Sequence, residues 1–358
     1  MPTPLTPDPA IPDRWSPTEF GSLVAATSFD VPAASIAAYA RWWQLESWLR
    51  LLAYLELRAH YGAEWLTRVD RRAENRAARE AERAYMGSAD AQSPLAYLDA
   101  GKLFELIRDD WALFAPSLLP RTTWDGKVEE LLHIRHRLGH CRRPHLDDLG
   151  RIEQTLRDIE SGARVALDAY SSSELSAEAT GELITGWCGR AHADARRLVH
   201  HAEHQYGIVF ELRHSVRPWV DRSVLRVAAG EEVPGALWEA RFHLTGAHYE
   251  VDARRFSGHG AVKALLDQTV FVVIESPWSL AITFPAVDSP AAVADAIGAL
   301  FDALIDATTL PHQRSWKPDA EWPPDTSGLD LRFQVGTALS VYDASMGDVS
   351  LFGVSRTR

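Results

Sequence analysis

The sequence predicts an all-α N-terminal domain followed by a C-terminal α+β domain. Up to about residue 206, apolar residues recur at the three- and four-residue spacing of helices. From Gly207 they alternate or form short runs between Gly, Pro and Ser, as strands do. The length of 358 residues also favours two domains, since single cores seldom grow beyond about 250–300 residues.

These changes of pattern divide the chain into four segments. The sequence predicts a disordered, Pro-rich lead-in at 1–30, a helical bundle at 31–170, one long connecting helix at 171–206 and an α+β domain at 207–358. The last segment contains no phosphate-binding loop, zinc-ligand spacing or Ser/His/Asp motif. Its purpose therefore stays open.

Helices in the first half are predicted from apolar spacing and from end signals. Their predicted ranges are 33–60, 63–85, 95–114, a helix that opens at 121–124, and 145–170. Tyr61 and Gly62 end the first of these helices. Thr122 or Thr123 is a candidate N-cap for the helix that opens at 121–124, because a hydroxyl can accept a bond from the free N–H groups of the first turn.

Strands in the second half are predicted from alternation and from short apolar runs. Their predicted ranges are 208–212, 237–244, 249–256, 269–274, 280–284, 329–335 and 338–342. A hairpin turn is expected at 245–248. Ser289 and Pro290 open an amphipathic helix that runs to Ile305.

Composition excludes several classes of protein. A net charge of −12 argues against a general nucleic-acid coat protein, because such binding needs clustered cations. No apolar run approaches the roughly 18 residues of a membrane span, and the first residues lack the basic and apolar regions of a signal peptide. Two cysteines cannot staple a chain of this length, so a reduced, cytoplasmic location is expected.

The densest concentration of reactive side chains lies between His133 and Arg143, where three His and four Arg occur in eleven residues. Arg offers a planar, permanently charged fork that matches phosphate oxygens. His titrates near neutrality and passes protons in both directions. Together they are the tools of phosphate chemistry without a metal.

An Arg followed by a His five residues later carries little information alone. With 33 Arg among 37 basic residues and 14 His, about one such pair is expected by chance. Context distinguishes Arg135 and His140: His136 follows the Arg directly, Ile134 and Leu138 anchor the helix, and Cys-Arg-Arg-Pro follows the second His.

This arrangement resembles the motif of the HEPN family (higher eukaryotes and prokaryotes nucleotide-binding). Members carry Arg, then Asn, His or Asp, then a short run and a His, near the end of a helix in a small bundle. Arg135, His136 and His140 match that pattern. The resemblance continues through 41–50 and 93–98 and covers about 34–165.

The resemblance implies a metal-independent endoribonuclease, of the kind found in phage defence and toxin–antitoxin pairs. The RNA 2′-hydroxyl would be the nucleophile, leaving a 2′,3′-cyclic phosphate. His140 would transfer the proton, Arg135 would hold the phosphorane charge, and His136 would position or relay; Arg137 and Arg142 are candidate substrate-binding residues. No metal or cofactor is implied. Expected partners are RNA, a second copy joined through the helical domain, and an antitoxin or other defence protein.

Straight-helix geometry raises one difficulty with these roles. At 100° per residue, Arg135 points about 140° away from His140, whereas Arg137 lies nearer the His face. Either Arg135 reaches around the helix, the helix distorts near Gly139, or a second copy completes the site. We keep Arg135, because the His that follows it distinguishes the motif.

Other interpretations of the same residues remain open. The His-rich face can be an ordinary polar helix face, or His136 and His140 can bind a metal with Glu129 and Cys141. A non-catalytic RNA- or nucleotide-binding module and a dimerising interaction protein would also use such a surface.

Upstream, the cluster of tryptophans fits a core or a dimer interface better than base stacking. These residues are Trp42, Trp43 and Trp48. Glu46 and Arg50 form either an ordinary i, i+4 pair or part of the site.

Overall fold

The computed structural model describes residues 17–28, 31–82, 93–175, 182–221, 233–245, 249–309, 330, 332–335 and 350–353. The N-terminal part of these residues is helical, and the C-terminal part carries a mixed sheet. The predicted order, helices first and a sheet with helices second, is confirmed.

Seven helices form the N-terminal part of the described chain. They are α1 (Pro17–Ser28), α2 (Ala33–Tyr61), α3 (Arg71–Ala81), α4 (Ala100–Asp109), α5 (Trp111–Phe114), α6 (Arg121–Gly139) and α7 (Asp148–Ser171), with 3-10 turns at Gly62–Arg68, Pro94–Tyr97 and Ala115–Ser117.

Helix α2 lies at the centre of this bundle and contacts α4, α5, α6 and α7. Its buried positions include Leu45, Leu49 and Leu52, which recur at helical spacing and face the core. The helix ends at Gly62, whose φ is +53°. A Cβ at that position would also collide with Val287 and Asp288, so only glycine fits.

Three predictions in the N-terminal part are wrong in detail. Within the lead-in predicted at 1–30, residues 17–28 form α1; the remainder lies outside the described residues. The helix predicted at 63–85 is a 3-10 turn followed by α3, because the carboxylate of Asp70 caps a new helix by accepting from the Arg72 N–H at 2.8 Å. The helix predicted at 95–114 breaks into a 3-10 turn, α4 and α5.

The predicted N-cap of the motif helix is also wrong. Pro120 occupies the cap of α6, and no side chain caps it. Thr122 and Thr123 lie inside the helix and are exposed.

Among the described residues, the main sheet has six strands in the order β1-β2-β3-β6-β5-β8. These strands are β1 (Glu174–Leu175), β2 (Ile208–Val216), β3 (Ala236–Leu244), β5 (Val272–Ser276), β6 (Ser279–Pro285) and β8 (Phe333–Val335). Neighbours pair antiparallel except β5 and β8, which are parallel. A separate two-stranded ladder joins β4 (Glu250–Val251) to β7 (Thr308–Thr309).

In the part of the chain that the structure describes, five helices accompany the sheet. They are α8 (Glu182–Trp187), α9 (Ala193–Tyr206), α10 (Ala253–Gly258), α11 (Gly260–Leu265) and α12 (Pro290–Ala307), with a 3-10 turn at Leu266–Gln268. The predicted amphipathic helix from Ser289 is confirmed as α12.

The connecting helix predicted at 171–206 is wrong. The described residues of that range form the end of α7, β1, α8 and α9. The two later helices share one buried cluster with the sheet and α12, in which Trp187 donates its indole N–H to the Ala294 carbonyl at 3.1 Å. They therefore belong to the sheet layer rather than connecting two domains.

One strand prediction needs correction, and another lies outside the described residues. The strand predicted at 249–256 is only β4 followed by α10, where the Asp252 carboxylate accepts from the N–H groups of Arg254 and Arg255 and starts a helix. Residues 246–248 of the hairpin turn predicted at 245–248 lie outside the described residues; of the strands on either side, β3 pairs with β2 and β6, and β4 pairs with β7. The strand predicted at 338–342 lies outside the described residues.

The sheet is covered by helices on both faces. Alternate residues of β3 divide between the two buried clusters: Trp238, Ala240 and Phe242 pack with α8, α9 and α12, whereas Leu237 packs with α2 and α7. The helical part therefore lies against the sheet and shares a core with it.

Candidate functional site

The C-terminal half of α6 holds the motif, and its two faces differ as expected. Leu131 and Ile134 are buried in the helical core. His133, His136 and His140 are exposed. The apolar side anchors the helix, so the His side is available to solvent.

A tight turn follows the helix and fixes the end of the motif. His140 is the C-terminal cap, and its N–H donates to the His136 carbonyl at 3.2 Å. The chain then reverses at Cys141, whose φ is +52°. The Arg142 N–H donates to the Arg137 carbonyl at 2.9 Å, as in the turns that commonly close helices. This reversal places Arg142 beside the last turn of α6.

Arg135 lies beside Gly139, the residue one helical turn further along α6. Its Nη1 atom is 3.3 Å, and its Cζ 3.7 Å, from the position a Cβ would take on Gly139. The guanidinium therefore extends along the last turn of α6, over a residue that has no side chain. Residues four apart share one helix face, so helical geometry already gives Arg135 this direction, and its convergence with His140 stays a prediction.

The two motif histidines are in direct contact. The ring centroids of His136 and His140 are 4.4 Å apart, with the planes at 63°. Partial desolvation and the positive neighbours His140, Arg142 and Arg135 lower the pKa of His136 below its ordinary value. Its ring is therefore neutral at neutral pH, which allows it to accept a hydrogen bond or a proton.

Arg137, a predicted substrate-binding residue, has a partner within the chain. Its Nε donates to Asp148 Oδ2 at 2.9 Å, and its Nη2 donates to Oδ1. Asp148 is 1% exposed and also accepts from the His145 N–H at 2.9 Å. This fork joins the end of α6 to the start of α7, so Arg137 positions the motif helix.

The carboxyl group of Asp148 shows the strength of this contact. Burial acts to raise its pKa, but the bonds from Arg137 and from the His145 backbone outweigh burial, and the pKa lies below its ordinary value. Because the pKa of Asp148 is lowered in the folded protein, its ion pair with Arg137 stabilises the fold at pH values above the ordinary pKa of Asp. That contribution is lost as the pH falls through the folded-state value.

We expect Arg137→Gln to lower the free energy of unfolding by about 1.5–3 kcal/mol, the range for hydrogen bonds to charged groups. The reason is that the substitution leaves the buried carboxylate of Asp148 without its two hydrogen bonds from Arg137. Urea unfolding at pH 7 measures the loss, and the difference from the wild type should shrink at acidic pH. Arg143→Gln, an exposed change in the next loop, serves as the control. Equal stability of the two variants would contradict the positioning role.

Sequence reasoning missed Asp148 and the role of Gly139. An acidic residue in the first turn of α7 was visible, but only the turn at 140–147 brings it to Arg137. Arg142 and Arg143 are exposed, with Arg142 on the same side as His136.

The upstream pair lies on α2. Glu46 accepts from Arg50 and from the Trp42 indole, and Arg50 donates to the Leu98 carbonyl at 3.0 Å. Trp42 and Trp48 are buried in the helical core, and Trp43 is 59% exposed. The core interpretation is therefore confirmed for two of the three tryptophans.

The metal alternative finds no assembled ligands. Among the described residues, no group of three or more His, Cys, Asp and Glu side chains is arranged to hold a metal ion. Neither Glu129 nor Cys141 joins the His136–His140 pair in such a group, and both cysteines are free.

Within the described ranges, no helix has the length and apolar character needed to cross a membrane. No protein-family model, curated protein or solved structure matches this chain.

Proposed function

We propose that this chain is a metal-independent endoribonuclease whose site is the C-terminal end of α6. The observation that supports it best is the contact between the rings of His136 and His140, whose centroids are 4.4 Å apart, with the positive charges of Arg135 and Arg142 acting on His136. Cations beside two titratable groups are what cleavage of a phosphodiester without a metal needs.

In the proposed reaction the RNA 2′-hydroxyl attacks the adjacent phosphorus. The 2′-oxygen loses its proton, the bond from phosphorus to the 5′-oxygen breaks, and the 5′-oxygen gains a proton. The products are a 2′,3′-cyclic phosphate and a 5′-hydroxyl. His140 carries out the proton transfer, and Arg135 stabilises the negative charge on the phosphorane oxygens.

The remaining motif residues support these two. His136, whose lowered pKa keeps it neutral, positions the His140 ring by contact. Arg142 draws the RNA backbone to the site, whereas Arg137 holds α6 against α7 through Asp148. The proposal thus moves Arg137 from substrate binding to positioning.

We further propose that two copies act together. The attacking and leaving oxygens of such a reaction lie roughly in line through phosphorus. A phosphate does not fit between rings whose centroids are 4.4 Å apart, so His136 and His140 of one chain lie on the same side of it. His140 of a second copy supplies the opposite side, as in an isologous dimer.

Two of the three α2 tryptophans are not available for that dimer contact. Trp42 and Trp48 are buried within the chain, whereas Trp43 is exposed. The contact we propose instead brings the exposed ends of two α6 helices together. The motif pattern of Arg135, His136 and His140 resembles the HEPN family, and a role in phage defence or as a toxin rests on that resemblance.

The test is cleavage of end-labelled RNA in the presence of a chelator. We expect cuts that leave a 2′,3′-cyclic phosphate, and no cut where the preceding sugar is 2′-deoxy. RNA binding without cleavage would favour the non-catalytic binding module. Cleavage that disappears in chelator and returns with a divalent metal would overturn the mechanism.

The lowered pKa of His136 gives a second check on the site. Arg142→Gln removes one of the positive charges that lower this pKa, so we expect the pKa to rise toward its ordinary value. Titration of the ring protons by NMR at low salt measures it, because salt screens exposed charges. Arg143→Gln is the matched control and should leave the titration unchanged. An unchanged pKa of His136 in Arg142→Gln would show that Arg142 does not act on the motif.

A further inference from the structure

Residues 350–353 dock in a groove between α2 and α7, far along the sequence from both helices. The segment forms a turn, in which the Gly353 N–H donates to the Ser350 carbonyl at 3.3 Å. Gly353 has a φ of +60°, a conformation that glycine adopts without steric cost. The turn therefore holds its own shape and meets the groove as one unit.

Phe352 anchors this turn in the groove. It is 5% exposed and belongs to the buried core of the helical part. Its ring meets the ring of Trp48 on α2 edge-on, with 6.0 Å between the centroids. Leu351 is half-buried and packs against the same core. A buried aromatic side chain surrounded in this way is the usual anchor of a recognised peptide.

The polar contacts of the groove go to the backbone of the turn. Arg41 Nη1 and Gln44 Nε2 both donate to the Phe352 carbonyl, at 2.8 and 3.1 Å. Glu160 Oε1 on α7 accepts from the Leu351 N–H at 2.8 Å. Backbone hydrogen bonds supply affinity in peptide sites, and side-chain pockets supply specificity. The groove contains both kinds of contact.

Ion pairs between and along the two helices balance the charges of the groove. Arg41 pairs with Glu153 of α7 at 3.4 Å, so it also joins the two helices. Glu160 pairs with Arg164, one turn further along α7, at 3.2 Å. Two positive charges therefore face two negative charges, which favours an uncharged apolar turn as the occupant.

The chain's own turn leaves one donor of the groove unused. Trp48 is 8% exposed, and its indole N–H has no hydrogen-bond partner among the described residues. A buried donor without an acceptor is destabilising. The fit of residues 350–353 is therefore incomplete, which favours exchange with a competing ligand.

We propose that the α2–α7 groove is a recognition site for a peptide turn in which an aromatic residue precedes glycine, and that residues 350–353 occupy it as a ligand in cis. A partner protein that presents such a turn displaces this segment and binds in its place. The partner supplies an uncharged aromatic ring beside Trp48 and a backbone carbonyl for Arg41 and Gln44. This site is independent of the ribonuclease proposal.

The test uses the full chain and a fluorescent peptide that spans residues 348–355, with capped ends so that it carries no terminal charges. In the wild type the segment and the groove lie on one chain, so the segment competes at a high effective concentration and peptide binding should be weak. Phe352→Ala removes the anchor from the chain's own turn. We expect this variant to bind the peptide about tenfold or more tightly than the wild type does.

Matched controls locate the binding in the groove. A peptide with Ala in place of Phe352 should bind neither protein. Adding Arg41→Met to the Phe352→Ala chain should weaken peptide binding, whereas adding Arg79→Met, an exposed change on α3, should not. Equal binding of the peptide by wild type and Phe352→Ala, or equal binding of the Phe and Ala peptides, would overturn the proposal.

Since Phe352 is buried, its replacement can unfold the chain, and Gly353→Val then decides. A β-branched residue strains the turn at its positive φ, yet a Cβ at this position meets no atom within 4 Å, so the groove stays intact. We expect Gly353→Val, shown to be folded by circular dichroism, to bind the peptide more tightly than the wild type. A folded variant without this gain would refute the proposal. Unfolding of both variants would show that residues 350–353 are an ordinary part of the core, which also refutes it.

Discussion

Replacing Glu56 with Ala should lower the free energy of unfolding by about 3–5 kcal/mol, the cost of leaving one partner of a buried ion pair alone. Glu56 and Arg217 are both fully buried and form a fork with distances of 3.0 and 2.6 Å. The Trp219 indole also donates to Glu56 at 2.8 Å. The substitution therefore strands a buried guanidinium and an indole N–H at once.

Urea unfolding followed by circular dichroism measures this loss. Glu64→Ala, an exposed change in the turn after α2, is the matched control and should stay within about 0.5 kcal/mol of wild type. The double variant Glu56→Met/Arg217→Met should be more stable than either single variant, since apolar side chains then replace both charges. A Glu56→Ala variant as stable as the control would show that the pair contributes nothing.

The same pair explains why the helical and sheet parts should unfold together. Glu56 lies in α2, Arg217 directly follows β2, and Arg217 also donates to the Ala166 carbonyl of α7 at 3.2 Å. Leu237, Phe271 and Ala281 of the sheet region belong to the core of the helical part. We therefore expect one cooperative transition rather than two.

Local signals were sufficient for several elements. The spacing of apolar residues predicted α2 to within one residue at its end, because these residues recur at helical spacing and a glycine follows the helix. The strands β2, β3 and β6 were also predicted from local apolar patterns, because their apolar faces pack against helices. At the motif, the exposed His face and the buried Leu131 and Ile134 also followed from periodicity.

Features that depend on distant residues were not predicted. The long helix expected at 171–206 is interrupted because α8 and α9 pack against α12, more than ninety residues later in the sequence. The Glu56–Arg217 pair spans 161 positions, and no local pattern reveals it.

The largest expected effect on activity is that of His140→Ala. We expect RNA cleavage to fall by about 10²–10⁴-fold, the usual contribution of a placed proton-transfer group. Because His140 is exposed, the variant should keep wild-type stability. His133→Ala, which removes another exposed His from the same helix, should cleave at close to the wild-type rate. Wild-type cleavage by a folded His140→Ala protein would refute the assignment.

The same variant tests whether two copies share one site. Equal amounts of wild-type and His140→Ala chains, exchanged to equilibrium, give wild-type, mixed and mutant dimers in proportions of about one, two and one for a two-fold dimer. If both sides of the phosphate need a His140, mixed dimers are inactive. The mixture then has about a quarter of the activity of an equal total amount of protein that is all wild type. Independent chains would give about half. Two affinity tags verify the exchange, and a mixture of wild type with His133→Ala should show no loss. A monomer in sedimentation that cleaves RNA at the full rate would end the shared-site proposal.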